Sequence, residues 1–149
     1  MCVLRVTGTE FDADNYLALS GLKAIKVFRR GEPRFASRPD GERNEYSGFN
    51  VEVSDSSSEG VGGQVSDAIA FLKENEDAVR MLRSAPGVED MRLDFPVDLR
   101  IDRVEVMSQF DYFSPELVTL AGGLGLGIEI SIYPRDLEAL ARGIAEEAD

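Results

Sequence analysis

Along the chain, apolar residues alternate with polar ones in some stretches and recur at helical spacing in others. Cys2-Val-Leu-Arg-Val-Thr7 sets Leu4 and Val6 against Arg5 and Thr7, the pattern of a strand with one buried face. Asp12 then stands where a helix cap belongs, ahead of Tyr16, Leu17 and Leu19, and Ser20-Gly21 supplies a stop. Ala24 to Arg29 reads as a second strand. Gly31, Pro33, Pro39 and Gly41 mark residues 31–48 as a loop or a ragged hairpin. Phe49 to Ser54 alternates cleanly, a third strand, and residues 55–63 form a loop rich in serine and glycine.

Val65, Ala68, Ile69, Leu72, Val79 and Leu82 then fall on one helical stripe. Asn75-Glu76-Asp77 interrupts it, either as a kink or as a break with Asn75 capping a new helix, and Pro86-Gly87 ends it. Met91 to Phe95 is a fourth strand, stopped by Pro96. A fifth begins at Val104-Glu-Val106. Ser114-Pro115-Glu116 places cap, first-turn proline and early carboxylate in their favoured order, opening a helix with Leu117, Leu120 and Ala121. Ile128 to Ile132 is a sixth strand. Pro134 opens a last helix with Leu137, Leu140, Ala141 and Ile144 inward and a Glu138–Arg142 pair outward.

Residues 1–149 thus read as a single α+β domain: a mostly antiparallel sheet with helices on one face. The order begins as a ferredoxin-like βαββαβ unit and continues as a βαβα extension. Alternation in most of the strands implies that one sheet face is covered and the other is wet or paired. Phe11-Asp12 to Leu22 and Phe113-Ser114 to Leu124 share cap, glycine and leucine at a constant spacing, a weak internal echo.

Composition narrows the chemistry more than it suggests any. The chain lacks histidine, which removes the commonest general base and the commonest zinc ligand. Cys2 is the single cysteine, which excludes an intramolecular disulfide and a thiolate cluster, and it fits a small buried hydrophobe. No catalytic residue, metal site or cofactor is expected, and the chain is read as a non-enzyme. The start, Met-Cys-Val-Leu-Arg-Val, has no basic region followed by a long apolar stretch, and no segment has the length of a membrane span. A cytoplasmic protein without a membrane partner is expected.

The net charge is −12, from 16 basic and 28 acidic residues, so nucleic acid is not expected as a partner. The charge is uneven. Residues 23–43 hold Lys23, Lys26, Arg29, Arg30, Arg34, Arg38 and Arg43 against Glu32, Asp40 and Glu42, and the rest is strongly acidic. Arg29, Arg30 and Arg34 are the candidate site for an acidic partner or a small anion. The plainer reading is a basic hairpin balanced by the acidic remainder.

Other candidates are weaker. Gly60-Val-Gly-Gly63 opens a helix but continues Gly-Gln-Val instead of Gly-Lys-Ser/Thr. Gly122-Gly-Leu-Gly-Leu-Gly127 follows a helix and precedes a strand, the reverse of a dinucleotide fingerprint, and reads as a helix stop. Asp94, Asp98 and Asp102 recur every fourth residue, but Phe95-Pro96 argues against a helix there. Asp12-Ala-Asp14-Asn15 lacks the glycine and glutamate of a calcium loop. Ser56-Ser57-Ser58 has no evident base beyond a formal pairing with Lys23, Lys26 or Lys73. The wet sheet face should show Arg5, Lys26, Glu52, Arg92, Asp94, Glu105 and Glu129, whose mixed signs suit cross-strand pairing.

Leu4-Arg-Val-Thr-Gly8, Ser47-Gly-Phe-Asn-Val51, Gln64 to Leu72, and Phe113-Ser-Pro-Glu-Leu-Val118 through Tyr133-Pro134 resemble a family of short bacterial proteins grouped as a domain of unknown function. The resemblance implies a bacterial α+β protein, and some members look like immunity proteins that neutralise the toxins of competitors. It carries no catalytic residue. The expected function is therefore a non-enzymatic protein-binding module, of the immunity type, facing a basic toxin. The alternative is a small-molecule module or enzyme that holds an anion at Arg29, Arg30 and Arg34. A homodimer formed through a sheet edge is a further option.

Overall fold

The computed structural model describes residues 1–102 and 104–134. Its elements follow as β1 (Cys2–Gly8), α1 (Ala13–Ser20), β2 (Ala24–Phe28), β3 (Ser47–Ser54), α2 (Gly62–Glu74), α3 (Glu76–Ser84), β4 (Asp90–Asp98), α4 (Pro115–Gly123) and β5 (Gly127–Tyr133). The helix expected after Pro134 lies outside the described residues.

The first strand of the chain is the middle of the sheet, whose order is β2-β3-β1-β4-β5. β1 pairs antiparallel with β3 on one side and β4 on the other, and β2 pairs antiparallel with β3. These four strands with α1, α2 and α3 make the ferredoxin-like arrangement. β5 adds to the far side of β4 in parallel register, Leu93 beside Ile128 and Phe95 beside Ile130. A parallel neighbour needs a crossover, and α4 provides it.

Alternation decides the faces. Leu4, Val6, Phe49, Val51, Leu93, Phe95 and Val97 are buried beneath the helices, in one contiguous core with Tyr16, Leu72, Val79, Leu82 and Leu117. The Tyr16 ring stacks on Phe49 with centroids 5.9 Å apart, and its hydroxyl donates to the Ala78 carbonyl. Phe113 meets Phe95 edge-on at 5.0 Å, seating the entry to α4. Cys2 is fully buried and makes no disulfide.

The caps work as the sequence implies. Asp12 accepts from the Asn15 amide at 3.0 Å, and Gly21 closes α1 in the left-handed region. Ser114 caps α4 through the Leu117 amide. In α4 the left-handed glycine is Gly125, with Leu126 N–H reaching back to the Ala121 carbonyl at 2.8 Å. The echo between the two helices therefore breaks at their C-terminal ends. At Asn75 the stripe breaks into two helices, but its side-chain amide donates back to the Phe71 carbonyl of α2 instead of capping α3.

Two expectations fail. Pro96 does not stop β4, which runs on to Asp98. The Asp98 N–H bonds to the Ser58 carbonyl and the Pro96 carbonyl accepts from Gln64, both on the flank where β1 has already ended. The N–H that proline lacks belongs to that flank, so no ladder bond is lost. Nor is there a strand at Val104–Val106. The Asp102 carboxylate accepts the amides of Val104, Glu105 and Val106 at 2.8–2.9 Å and curls the segment into a turn. The extension beyond β4 is therefore a loop, α4 and β5, with no separate strand of its own before the helix. Among the described residues, no helix is long and apolar enough to cross a membrane.

Candidate functional site

Between β4 and α4, the described residues from Leu99 to Phe113 have no regular structure. Its base is tied down by one side-chain network. Arg100 donates to the Asp111 carboxylate at 2.8 Å, to the Glu59 carbonyl at 2.6 Å and to the Phe110 carbonyl at 3.3 Å. Gln109 accepts from the Arg100 amide at 2.8 Å and donates to Asp111 and to the Asp98 carbonyl. Burial pushes the Asp111 carboxyl up, but the bonds from Arg100 and Gln109 and the guanidinium charge outweigh it, leaving it below its ordinary value. Asp102 sits below its ordinary value as well, held by the amides of Val106, Val104 and Glu105.

From this fixed base large apolar side chains point to water. Val104 is 84% exposed, Met107 74%, Phe110 86% and Tyr112 71%. Single exposed apolar residues are ordinary, and four within nine residues of chain make this loop a candidate contact surface. Asp98, Asp102, Glu105, Asp111 and Glu116 give the neighbourhood an acidic sequence. Sequence reading missed this site because Val104 and Val106 look like a strand. The signal was Asp102, a residue that favours turns, two positions ahead of them.

The arginines expected to act together are dispersed. Arg29 grips Asp14 through two bonds of 2.8 Å and lies 3.6 Å from Glu32. Those bonds hold the Asp14 carboxyl below its usual range. Arg30 reaches Glu10 at 2.9 Å. Arg34 pairs with Glu42 at 3.0 Å and is the member of the three that faces the outer surface of the sheet. The ragged hairpin there is stitched by main-chain bonds, Arg34 to Glu42 and Asn44 to Glu32 among them.

The outer sheet face shows paired charges. Arg5 and Arg92 stand directly opposite each other on β1 and β4. Their repulsion is offset by carboxylates interleaved with them: Arg5 bonds Asp94 at 3.1 Å, and Arg92 bonds Asp90 at 2.6 Å and Glu129 at 3.2 Å. Ser131 also donates to Asp94, at 2.6 Å. Glu105 belongs to the loop instead of this face.

The remaining candidates have structural partners. Ser56 donates to Asp67 at 2.7 Å and Ser58 to Asp98 at 2.9 Å, while Lys73 pairs with Glu116 at 2.6 Å. The serines therefore face carboxylates, and the lysine nearest in sequence is engaged elsewhere. The three periodic aspartates part company: Asp94 on the sheet face, Asp98 at the strand end, Asp102 in the turn. Glycines 62 and 63 lie inside α2, so the segment between them and Asp55 is shorter than read. Burial pushes the Cys2 thiol up to about 12, so it is not a nucleophile at neutral pH. Among the described residues no group of three acidic or thiol side chains is arranged to hold a metal ion.

No family model matches the chain, and no curated protein and no solved structure proves similar to it.

Proposed function

We propose that this protein is a non-enzymatic binding module that docks a basic protein through the segment from Leu99 to Tyr112. The observation that carries the reading is the outward display of Val104, Met107, Phe110 and Tyr112 on a loop whose base is fixed by Arg100 and Asp111. Aromatic and methionine side chains on a prearranged loop are the residue types enriched in the cores of interfaces. A net charge of −12 selects a cationic partner and speeds encounter with it. A basic toxin neutralised by an immunity protein is a partner of this kind.

The test compares tagged wild type with a Met107→Ser, Phe110→Ser variant in the source organism's lysate. Both side chains are solvent-exposed, so the variant should melt within about 0.5 kcal/mol of wild type. The expected result is a stoichiometric protein of net positive charge, retained by wild type and lost by the variant, whose association slows as salt rises. Equal retention by both proteins, or an on-rate indifferent to ionic strength, overturns the proposal. Self-association lost in the variant, with no foreign partner, replaces it with a homodimer.

A further inference from the structure

A cleft of about 400 Å³ lies between the outer sheet face and the hairpin of residues 31–46. Its floor is a row across three strands, because Lys26 of β2 and Arg5 of β1 both stand opposite Asn50 of β3. Its wall brings Arg34, Arg43 and Tyr46. In a chain of net charge −12, four cations line this one recess against two carboxylates, Glu42 and Glu45.

The charges differ in how far they are satisfied. Arg5 is committed to Asp94 and Arg34 to Glu42. Lys26 makes no ion pair among the described residues, and Arg43 gives one N–H to the Gly31 carbonyl at 2.7 Å. The Asn50 side-chain oxygen is buried and accepts no hydrogen bond. A buried acceptor without a donor costs on the order of 1–3 kcal/mol. Among the described residues the recess thus offers Lys26 and Arg43, neither of them in an ion pair.

We infer that this cleft binds a small phosphate monoester. The terminal oxygens carry nearly two negative charges and suit Lys26 and Arg43, with Arg34 beside them. Hydroxyls on the esterified portion can meet the polar lining at Asn44 and Glu45. The volume exceeds that of a phosphate group and falls within the range of small-molecule sites. This site stands apart from the docking loop and does not depend on it.

Ribose 5-phosphate is the probe, with thermal melting of the full chain as the readout. At tenfold excess over Kd the melting temperature should rise by about 3–6 °C, scaling from linkage and domain size. Ribose, and sulfate at matched ionic strength, should give no comparable shift. The Lys26→Ala, Arg43→Ala variant should lose the rise, and Lys26→Gln alone should weaken it about tenfold in concentration, should the double variant fold poorly. An Arg80→Glu control on α3 should keep it. No shift at about 10 mM ribose 5-phosphate overturns the inference, as does an equal shift with sulfate or a rise retained in folded variants of Lys26 and Arg43.

Discussion

Replacing Arg100 by methionine keeps the aliphatic stem and deletes the guanidinium that ties down the loop between β4 and α4. Three bonds go: to Asp111 at 2.8 Å, to the Glu59 carbonyl at 2.6 Å and to the Phe110 carbonyl at 3.3 Å. Hydrogen bonds involving a charged group contribute about 1.5–3 kcal/mol each, and the longest of these adds little. The side chains of Arg100 and Asp111 are 22% and 13% exposed, so water screens the pair only in part. Rehydration of the freed carbonyls recovers some of the loss. The net cost to loop closure is about 2–3 kcal/mol, or roughly 30- to 150-fold in the opening equilibrium. Amide hydrogen exchange reads this directly. The amides of Leu99, Arg100, Asp102 and Val104 to Val106, all bonded in the closed loop, should exchange faster by that factor, with β1 and β3 unchanged. Unaltered loop exchange would refute the clamp. A matched acceleration in β1 would show that Arg100 supports the core instead. The wild-type clamp should also loosen in acid. Asp111 titrates below its ordinary value in the folded chain, so its contribution is whole above about pH 4 and fades as pH falls through the folded value.

Gln64 is fully buried and donates to the carbonyls of Ser57 and Pro96, so Gln64→Leu strands both and should lower unfolding free energy in urea by about 1–3 kcal/mol. Gln64→Glu should cost more at pH 7, where a carboxylate faces those carbonyls, and recover towards acid pH. Burial, with a smaller push from Asp94, raises the Cys2 thiol to about 12, so wild-type stability should fall as pH rises from the unfolded thiol's value near 8.5 towards 12. Cys2→Ala should flatten that slope in urea titrations at pH 7, 9 and 10, and equal slopes would contradict the assignment. Gly48→Ala should destabilise by roughly 3 kcal/mol in the same assay, because its methyl would stand 2.1 Å from the Val6 carbonyl and 2.9 Å from the Phe28 ring.

Local rules carried the fold far. Alternation at Leu4 and Val6, the caps at Asp12 and Ser114, and the glycine at position 21 each act within a few residues, and each is visible in the chain. What was hidden depended on neighbours distant in sequence. Pro96 continues a strand only because β1 ends beside it and Gln64 takes the vacated flank. Arg29 and Arg30 look like a cluster until Asp14 and Glu10 arrive from another element. The cleft is legible in retrospect as basic residues, but its floor requires the register that aligns Lys26, Asn50 and Arg5. The loop ahead of α4 was hidden by a strand pattern that Asp102 overrides.

The central place of β1 has a consequence for synthesis. β1 leaves the ribosome ahead of the partners of both its edges, β3 from residue 47 and β4 from residue 90. At about 5–20 residues per second, some seconds pass between its emergence and its full enclosure. During that interval Leu4 and Val6 lie on a strand with both edges open until β3 emerges, and with one edge open after it. The nascent protein is thus most prone to mispairing before β4 emerges, and chaperone contact should concentrate on β1.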